Sequence, residues 1–184
     1  VLTTRPRQWP KNLLVFAVFK SFFAQLVAGP IVRGREFLPQ LHRRAEFDWA
    51  KLHRGAWLIL CGLFLKVGVA DAIGEYVNYA WKAPGSLGVN NAWLVLYAYA
   101  AQLLADFWGY STMAVGLGAC FGLELPINFD NPYASASLRE FWRRWHITLS
   151  GWLRDYLYIS LGGKRGVSKA RAACNRLATG VLGG

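Results

Sequence analysis

The sequence predicts an all-α fold, a multi-pass transmembrane helical bundle carrying one amphipathic, aromatic-rich helix. Three observations point to it. Hydrophobic residues make up 54% of the 184 and charged residues 17%, against roughly 45–50% and 25% in soluble domains. With a mean hydropathy of +0.22, that balance reads as apolar spans separated by charged loops. The net charge of +11 is unevenly placed: between Val67 and Leu138 the only Lys or Arg is Lys82. Finally, residues 138–161 carry a helical period that sorts aromatic from cationic side chains.

The elements follow in chain order, within one domain over 1–184. Residues 12–32 are apolar and long enough for a bilayer core of ~30 Å. Lys20 and the helix-breaking Gly29-Pro30 make a bent or re-entrant segment as acceptable as a straight span. Residues 33–54 form a basic loop, cytoplasmic by the positive-inside rule. A second span covers 55–73, with Lys66 inside it. Residues 74–91 read as a polar outer loop. Residues 92–125 are apolar over a length that would give a straight helix of ~50 Å, too long for a simple crossing. A break near 106–111 is therefore expected, giving a hairpin or one bent passage. Residues 126–137 are rich in turn formers. Ser137 followed by Glu140 is a capping box opening the helix of 138–161, and Gly162-Gly163 closes it. A basic stretch, 164–176, precedes the start of another span at 178–184.

On the helix of 138–161, Leu138, Phe141, Trp142, Trp145, Leu149, Trp152, Leu153 and Tyr156 fall in one stripe at ~100° per residue. Arg143, Arg144, Arg154 and Asp155 fall outside it. His146 lies at its edge, beside Trp142 and Leu153. Burial and the guanidinium groups of Arg143 and Arg144 both disfavour the imidazolium. A neutral imidazole can take a proton or hold a substrate hydroxyl, which makes His146 the first catalytic candidate. Asp106 is the second, because a carboxylate in an apolar run needs a partner; Tyr110 and Ser111 follow it and complete a polar cluster. Asn128, Asp130 and Asn131 suit turn-making, and Arg154-Asp155 suits an ion pair. The aromatic stripe, Trp145 included, suits an interfacial belt.

Some classes are disfavoured. A nucleic-acid binder would not devote its middle to an almost uncharged apolar run. Cys61, Cys120 and Cys174 have no metal-ligand spacing, and no zinc motif, P-loop or GxSxG is present, so no metal is expected. A transport component remains open, since polar residues within spans also mark pathways. RPRQWPKNLLVF (5–16) resembles the start of membrane prenyltransferases, but the Asp-rich magnesium-binding motifs of that chemistry are absent.

PINFDNPYASASLREFWRRWHITLSGWLRDYLYISLGGKRG (126–166) resembles the motif region of the membrane-bound O-acyltransferase superfamily. It is most similar to the bacterial branch acting in alginate O-acetylation, with D-alanyl transfer to teichoic acid as the related alternative. FFAQLVAGPIVRGREFLPQL (22–41), GLFLKVGVAD (62–71) and YAYAAQLLADFWGYSTMAVGLGACFGLELPINF (97–129) resemble family segments in the same order. The resemblance implies a multi-pass enzyme of the bacterial inner membrane. It would pass an acyl group from a cytoplasmic thioester, acetyl-CoA or an acyl-carrier protein, to an extracytoplasmic polysaccharide or a partner acetyltransferase, with no bound cofactor.

His146 matches the histidine of the family's FWRRWH motif. A second histidine, in a later WHG motif, has no counterpart. The resemblance therefore implies a partial domain, lacking the family's N-terminal helices and inactive alone. Asp106, Tyr110, Ser111, Asn128, Arg143, Arg144, Trp145, Arg154 and Asp155 are the accompanying tunnel or structural candidates. Departures from the pattern are Ala24 and Ser160 where proline is usual, Trp108 for serine and Thr112 for aspartate.

Overall fold

The computed structural model describes residues 13–26, 28–43, 46–82, 85, 88–162, 173–175 and 179–180. Every regular element among them is helical. The chain divides into two compact units, Val1–Leu125 and Pro126–Gly184.

In the first unit, the apolar stretch at 12–32 becomes two short helices, α1 (Leu13–Ser21) and α2 (Phe23–Leu26). The chain then folds back so tightly that a Cβ on Gly29 would lie 2.0 Å from the Ala24 carbonyl oxygen. Helix α3 (Gly34–Leu41) follows. Its Phe37 is fully buried, with ring centroids 5.5 Å from Phe19 and 5.3 Å from Phe22. These rings form a small core with Ala24, Val32, Ala114, Val115 and Leu125.

Helix α4 runs from Trp49 to Trp81, 33 residues, and among the described residues it is the one helix long and apolar enough to cross a membrane. The Asp48 carboxylate caps it, accepting from the N–H groups of Ala50 (2.8 Å) and Lys51 (3.4 Å). Its middle, Phe64–Asp71, is a π-helix. The helix exceeds the expected span of 55–73 at both ends. Beyond 73 it continues because Gly74, Val77 and Ala80 recur at helical spacing and are buried. The expected loop of 74–91 is correspondingly shorter.

Helix α5 (Val89–Cys120) is a single element of 32 residues, and the break expected near 106–111 does not occur. Two contacts with α4 hold this stretch in place. Lys66 on α4 neutralises Asp106, with Nζ 2.7 Å from Oδ1. Gly109 packs directly on Gly62: a Cβ on Gly62 would lie 2.5 Å from the Gly109 carbonyl oxygen, and one on Gly109 would lie 2.7 Å from that of Gly62. Gly55 and Gly116 repeat the arrangement, each with a virtual Cβ 2.7 Å from the other's carbonyl oxygen. The two glycine pairs lie seven residues apart on both helices, so α4 and α5 run antiparallel with their backbones in contact along one seam, a small-residue packing suited to membranes.

Helix α5 ends in a Schellman turn. Gly122 has φ +74°, its N–H reaches the Ala119 carbonyl (2.9 Å) and the Leu123 N–H reaches that of Gly118 (2.8 Å). The Gln40 side chain then clamps residue 124 from α3, accepting from the Glu124 N–H (2.7 Å) and donating to its carbonyl (3.1 Å). The basic segment around α3 and the C-terminal end of α5 therefore share one end of the helix pair.

The second unit begins with an extended segment to Asn131, then a 3-10 turn at Pro132–Ala134. Helix α6 (Leu138–Arg144) and helix α7 (Ile147–Trp152) follow, and α7 continues as a π segment over Leu153–Tyr158. The single helix expected over 138–161 is thus broken at Trp145-His146. The break divides the expected stripe between two helices, and of its residues Leu138, Trp142, Trp152 and Tyr156 are exposed. The helix-closing Gly162 has φ +102°, while Gly163 and most of the span expected to start at 178–184 lie outside the described residues.

Candidate functional site

The break between α6 and α7 is the best-defined polar feature of the second unit. The sequence sets up its first half as expected. Ser137 caps α6, its hydroxyl accepting from the Glu140 N–H (3.3 Å). Glu140 reaches back to the Ala136 N–H (3.0 Å), one residue earlier than in the usual capping box. Its other oxygen holds Arg144 at 2.6 Å, which fixes the last turn. Helix α6 then stops: Trp145 turns extended (φ −91°, ψ 125°) and His146 adopts φ +43°, ψ 58°.

That left-handed conformation is uncommon for a residue with a Cβ, though histidine visits it more readily than most. It costs about 1–2 kcal/mol and persists only where the surroundings over-determine it. They do so here. Breaking the ladder frees the Arg144 carbonyl and the Ile147 N–H, which need new partners. The preceding segment supplies both: the Asp130 N–H donates to the Arg144 carbonyl (3.1 Å), and the Ile147 N–H donates to the Asn128 carbonyl (2.9 Å). The Thr148 hydroxyl donates to Asn128 Oδ1 (2.6 Å). Ser150 Oγ spans the break, 3.3 Å from the Trp142 carbonyl and 3.5 Å from that of Trp145.

Phe129, 3% exposed, is the wedge. Its ring meets Trp145 edge-on at 5.1 Å and lies nearly parallel to the His146 imidazole at 6.5 Å. Beyond Trp145, Phe141 and Tyr133 extend an aromatic stack with centroids 5.6 and 6.3 Å from the indole. His146 is half-buried against this surface, and burial holds its pKa below the ordinary value near 6.5. The imidazole is therefore neutral at pH 7. The same desolvation raises the Tyr133 phenol.

The expected neighbours of His146 differ in part. An aromatic contact comes from Phe129, seventeen residues upstream in the sequence, because the break turns His146 off the predicted stripe. Burial accounts for its shift, while Arg144 is engaged by Glu140 and Arg143 is exposed. Asn128 is 1% exposed and acts through its backbone and side chain together, which exceeds the turn-making role read from sequence. Arg154 and Asp155 form a neighbouring ion pair at 2.8 Å within the π segment.

Asp106 belongs to the first unit. Lys66 Nζ lies between Asp106 Oδ1 and Asp71 Oδ1, at 2.7 and 2.6 Å. The π-helix makes this possible. Residues five apart on an α-helix point ~140° from each other, whereas the wider π turn brings Lys66 and Asp71 to one side. The five-residue spacing of Lys66 and Asp71 reads as a pair only once the π turn is known. Tyr110 is exposed one turn from Asp106, and Ser111 is buried about 140° around the helix from it, so the expected polar cluster at 106–111 does not assemble around Ser111. No group of three metal-ligating side chains occurs among the described residues.

Comparison with known proteins bears on this geometry. The model of the membrane-bound O-acyltransferase family matches residues 8–179, which include the FWRRWH motif and the kink it forms. The chain belongs to the membrane-bound O-acyltransferase family. Among curated relatives of this chain, the probable alginate O-acetylase AlgI of Azotobacter vinelandii is 45% identical over 175 residues, covering 95% of this chain and 34% of the relative. The peptidoglycan O-acetyltransferase of Helicobacter pylori is 42% identical over 156 residues, 84% of this chain and 30% of that protein. A teichoic acid D-alanyltransferase of Bacillus subtilis is 32% identical over 158 residues, 83% of this chain and 38% of that protein. The chain thus spans about a third of the length of the curated relatives it matches.

Proposed function

We propose that the full-length protein is a multi-pass O-acyltransferase of the bacterial inner membrane that moves an acetyl group from a cytoplasmic thioester to a hydroxyl of an extracytoplasmic polysaccharide such as alginate. The observation that carries this reading is the family match across residues 8–179, with His146 of the matching motif set in a left-handed break and neutral at pH 7. Similarity to O-acetyltransferases at 42–45% identity, against 32% to a D-alanyltransferase, favours acetyl over D-alanyl.

The bilayer is the partner of the first unit. Exposed Leu60, Leu63, Phe64 and Val67 lie along α4. Exposed Phe47 and Trp49 flank one end of the helix pair, and Tyr79, Trp81, Trp93 and Tyr97 the other, an arrangement suited to two interfacial belts. The basic excess near α3 favours the cytoplasm for the end that carries Glu124, where cationic loops attract the phosphates of an acyl donor.

In the reaction, the acceptor oxygen attacks the thioester carbonyl; a C–O bond forms and the C–S bond breaks. The hydroxyl proton passes by way of a base to the departing thiolate. Neutral His146 accepts that proton or holds the hydroxyl in line. The WHG histidine implied by the resemblance has no counterpart in these 184 residues. The test is the full-length protein in proteoliposomes with an acyl-labelled thioester and external polysaccharide. Label appearing on polysaccharide hydroxyls supports the reading; movement of a solute with no thioester consumed would favour a transport role instead.

A further inference from the structure

Asn128 carries more than its place in a turn explains. It is 1% exposed, and its Nδ2 finds no hydrogen-bond partner among the described residues. The amide orientation is fixed by geometry. At 2.6 Å the contact with Thr148 Oγ1 is short for N–H···O and ordinary for O–H···O, so Oδ1 faces Thr148 and Nδ2 faces away. A buried, unsatisfied amide donor costs about 1–3 kcal/mol, and an apolar residue of similar size would avoid that cost. The same residue's carbonyl accepts from Ile147, and its chain neighbour Phe129 lies over the His146 ring. Asn128 therefore grips the two residues that follow His146, one through its backbone and one through its side chain.

We infer that Asn128 is a positioning residue for the acyl transfer: through Ile147 and Thr148 it holds His146 in its left-handed conformation and sets where the imidazole stands. This rests on the acyltransferase reading above. Thr148 is the part of the device that can be altered without touching the backbone. The charged groups on the elements packed around His146 are Asp130, Arg139, Glu140, Arg143 and Arg144, with the Arg154–Asp155 pair on the π continuation of α7, and Arg144 is taken up by Glu140.

The test uses the full-length protein in five forms: wild type, Thr148→Val, Thr148→Ser, His146→Ala and the double variant His146→Ala/Thr148→Val, each assayed for acyl transfer across pH 5–8. Thr148→Val keeps the shape but cannot donate to Asn128, and it should lower kcat by about 10–100-fold, the cost of misplacing a reacting group by about an ångström, with the thioester KM unchanged. Thr148→Ser should retain kcat within about threefold, because its hydroxyl restores the bond. The acid limb of kcat should move to higher pH in Thr148→Val as the imidazole loosens from its buried place; a merely structural defect would shrink the amplitude and leave the limb where it is. The double variant His146→Ala/Thr148→Val should be no slower than His146→Ala, since residues acting as one unit are not additive.

If Thr148→Val does not accumulate, Thr148→Ala is read in its place. Full activity in Thr148→Val with an unmoved limb overturns the positioning role while leaving the acyltransferase reading intact. A wild type that transfers no acyl group overturns that reading first.

Discussion

The seam between α4 and α5 makes the sharpest structural prediction. At Gly62 an added Cβ would meet the Gly109 carbonyl oxygen at 2.5 Å, Met113 Cγ at 2.7 Å and the Met113 nitrogen at 2.8 Å. Ordinary contact begins near 3.4 Å, so the helices would have to part by several tenths of an ångström to almost one. Two of the three obstacles are backbone atoms of a continuous helix and cannot swing aside. Overpacking of this kind costs about 1–3 kcal/mol, even though alanine is a better helix former than glycine by about 1 kcal/mol. Thermal unfolding of the detergent-solubilised full-length protein measures the difference. Gly85→Ala is the control, because nothing lies within 4 Å of that position. Gly62→Ala should lower the midpoint and Gly85→Ala should not. Equal midpoints would refute the account of α4 and α5 as helices in backbone contact.

Further outcomes follow from the same geometry. Removing the Ser137 hydroxyl with Ser137→Ala uncaps α6 and should cost about 1 kcal/mol, read as a lowered unfolding midpoint. At His146 the left-handed backbone predicts that His146→Gly is more stable than His146→Ala by roughly 1 kcal/mol; this is read by comparing their midpoints directly. The lowered His146 pKa means that the unfolded state binds the extra proton first. This contribution to stability is present above pH ~6.5 and lost as pH falls from there through the folded-state value, and His146→Gln should flatten that part of the profile. Lys66→Met leaves Asp71 and Asp106 facing each other without their shared cation and should lower the unfolding midpoint; adding Asp106→Asn should recover most of the loss.

The parts of this molecule that depend on local pattern were legible in the sequence. Ser137 and Glu140 declared the start of α6, and the Gly29-Pro30 break was visible because proline and glycine act on their own backbone. The family resemblance was legible for the same reason: it rests on long runs of contiguous residues. What sequence missed depends on partners far along the chain. A helical period continues unbroken through Trp145 and His146, and nothing local says that Asn128 and Asp130 will capture the backbone groups a break would free. Asp106 reads in sequence as a carboxylate in need of a partner, and that partner is Lys66, forty residues upstream. The pairing of the same lysine with Asp71 needs a π-helix, whose presence no periodicity announces. His146 was correctly singled out as an imidazole held against an aromatic surface, but the ring beside it is Phe129.

The account's central claim is that neutral His146, fixed at the α6–α7 break, takes part in acyl transfer. The direct measurement is a single-turnover assay of the full-length protein with labelled thioester and polysaccharide, comparing wild type with His146→Ala at pH 7. The account predicts transfer slowed by about 10²–10⁴-fold, with thioester binding and the unfolding midpoint little changed. Transfer at the wild-type rate in His146→Ala would contradict it.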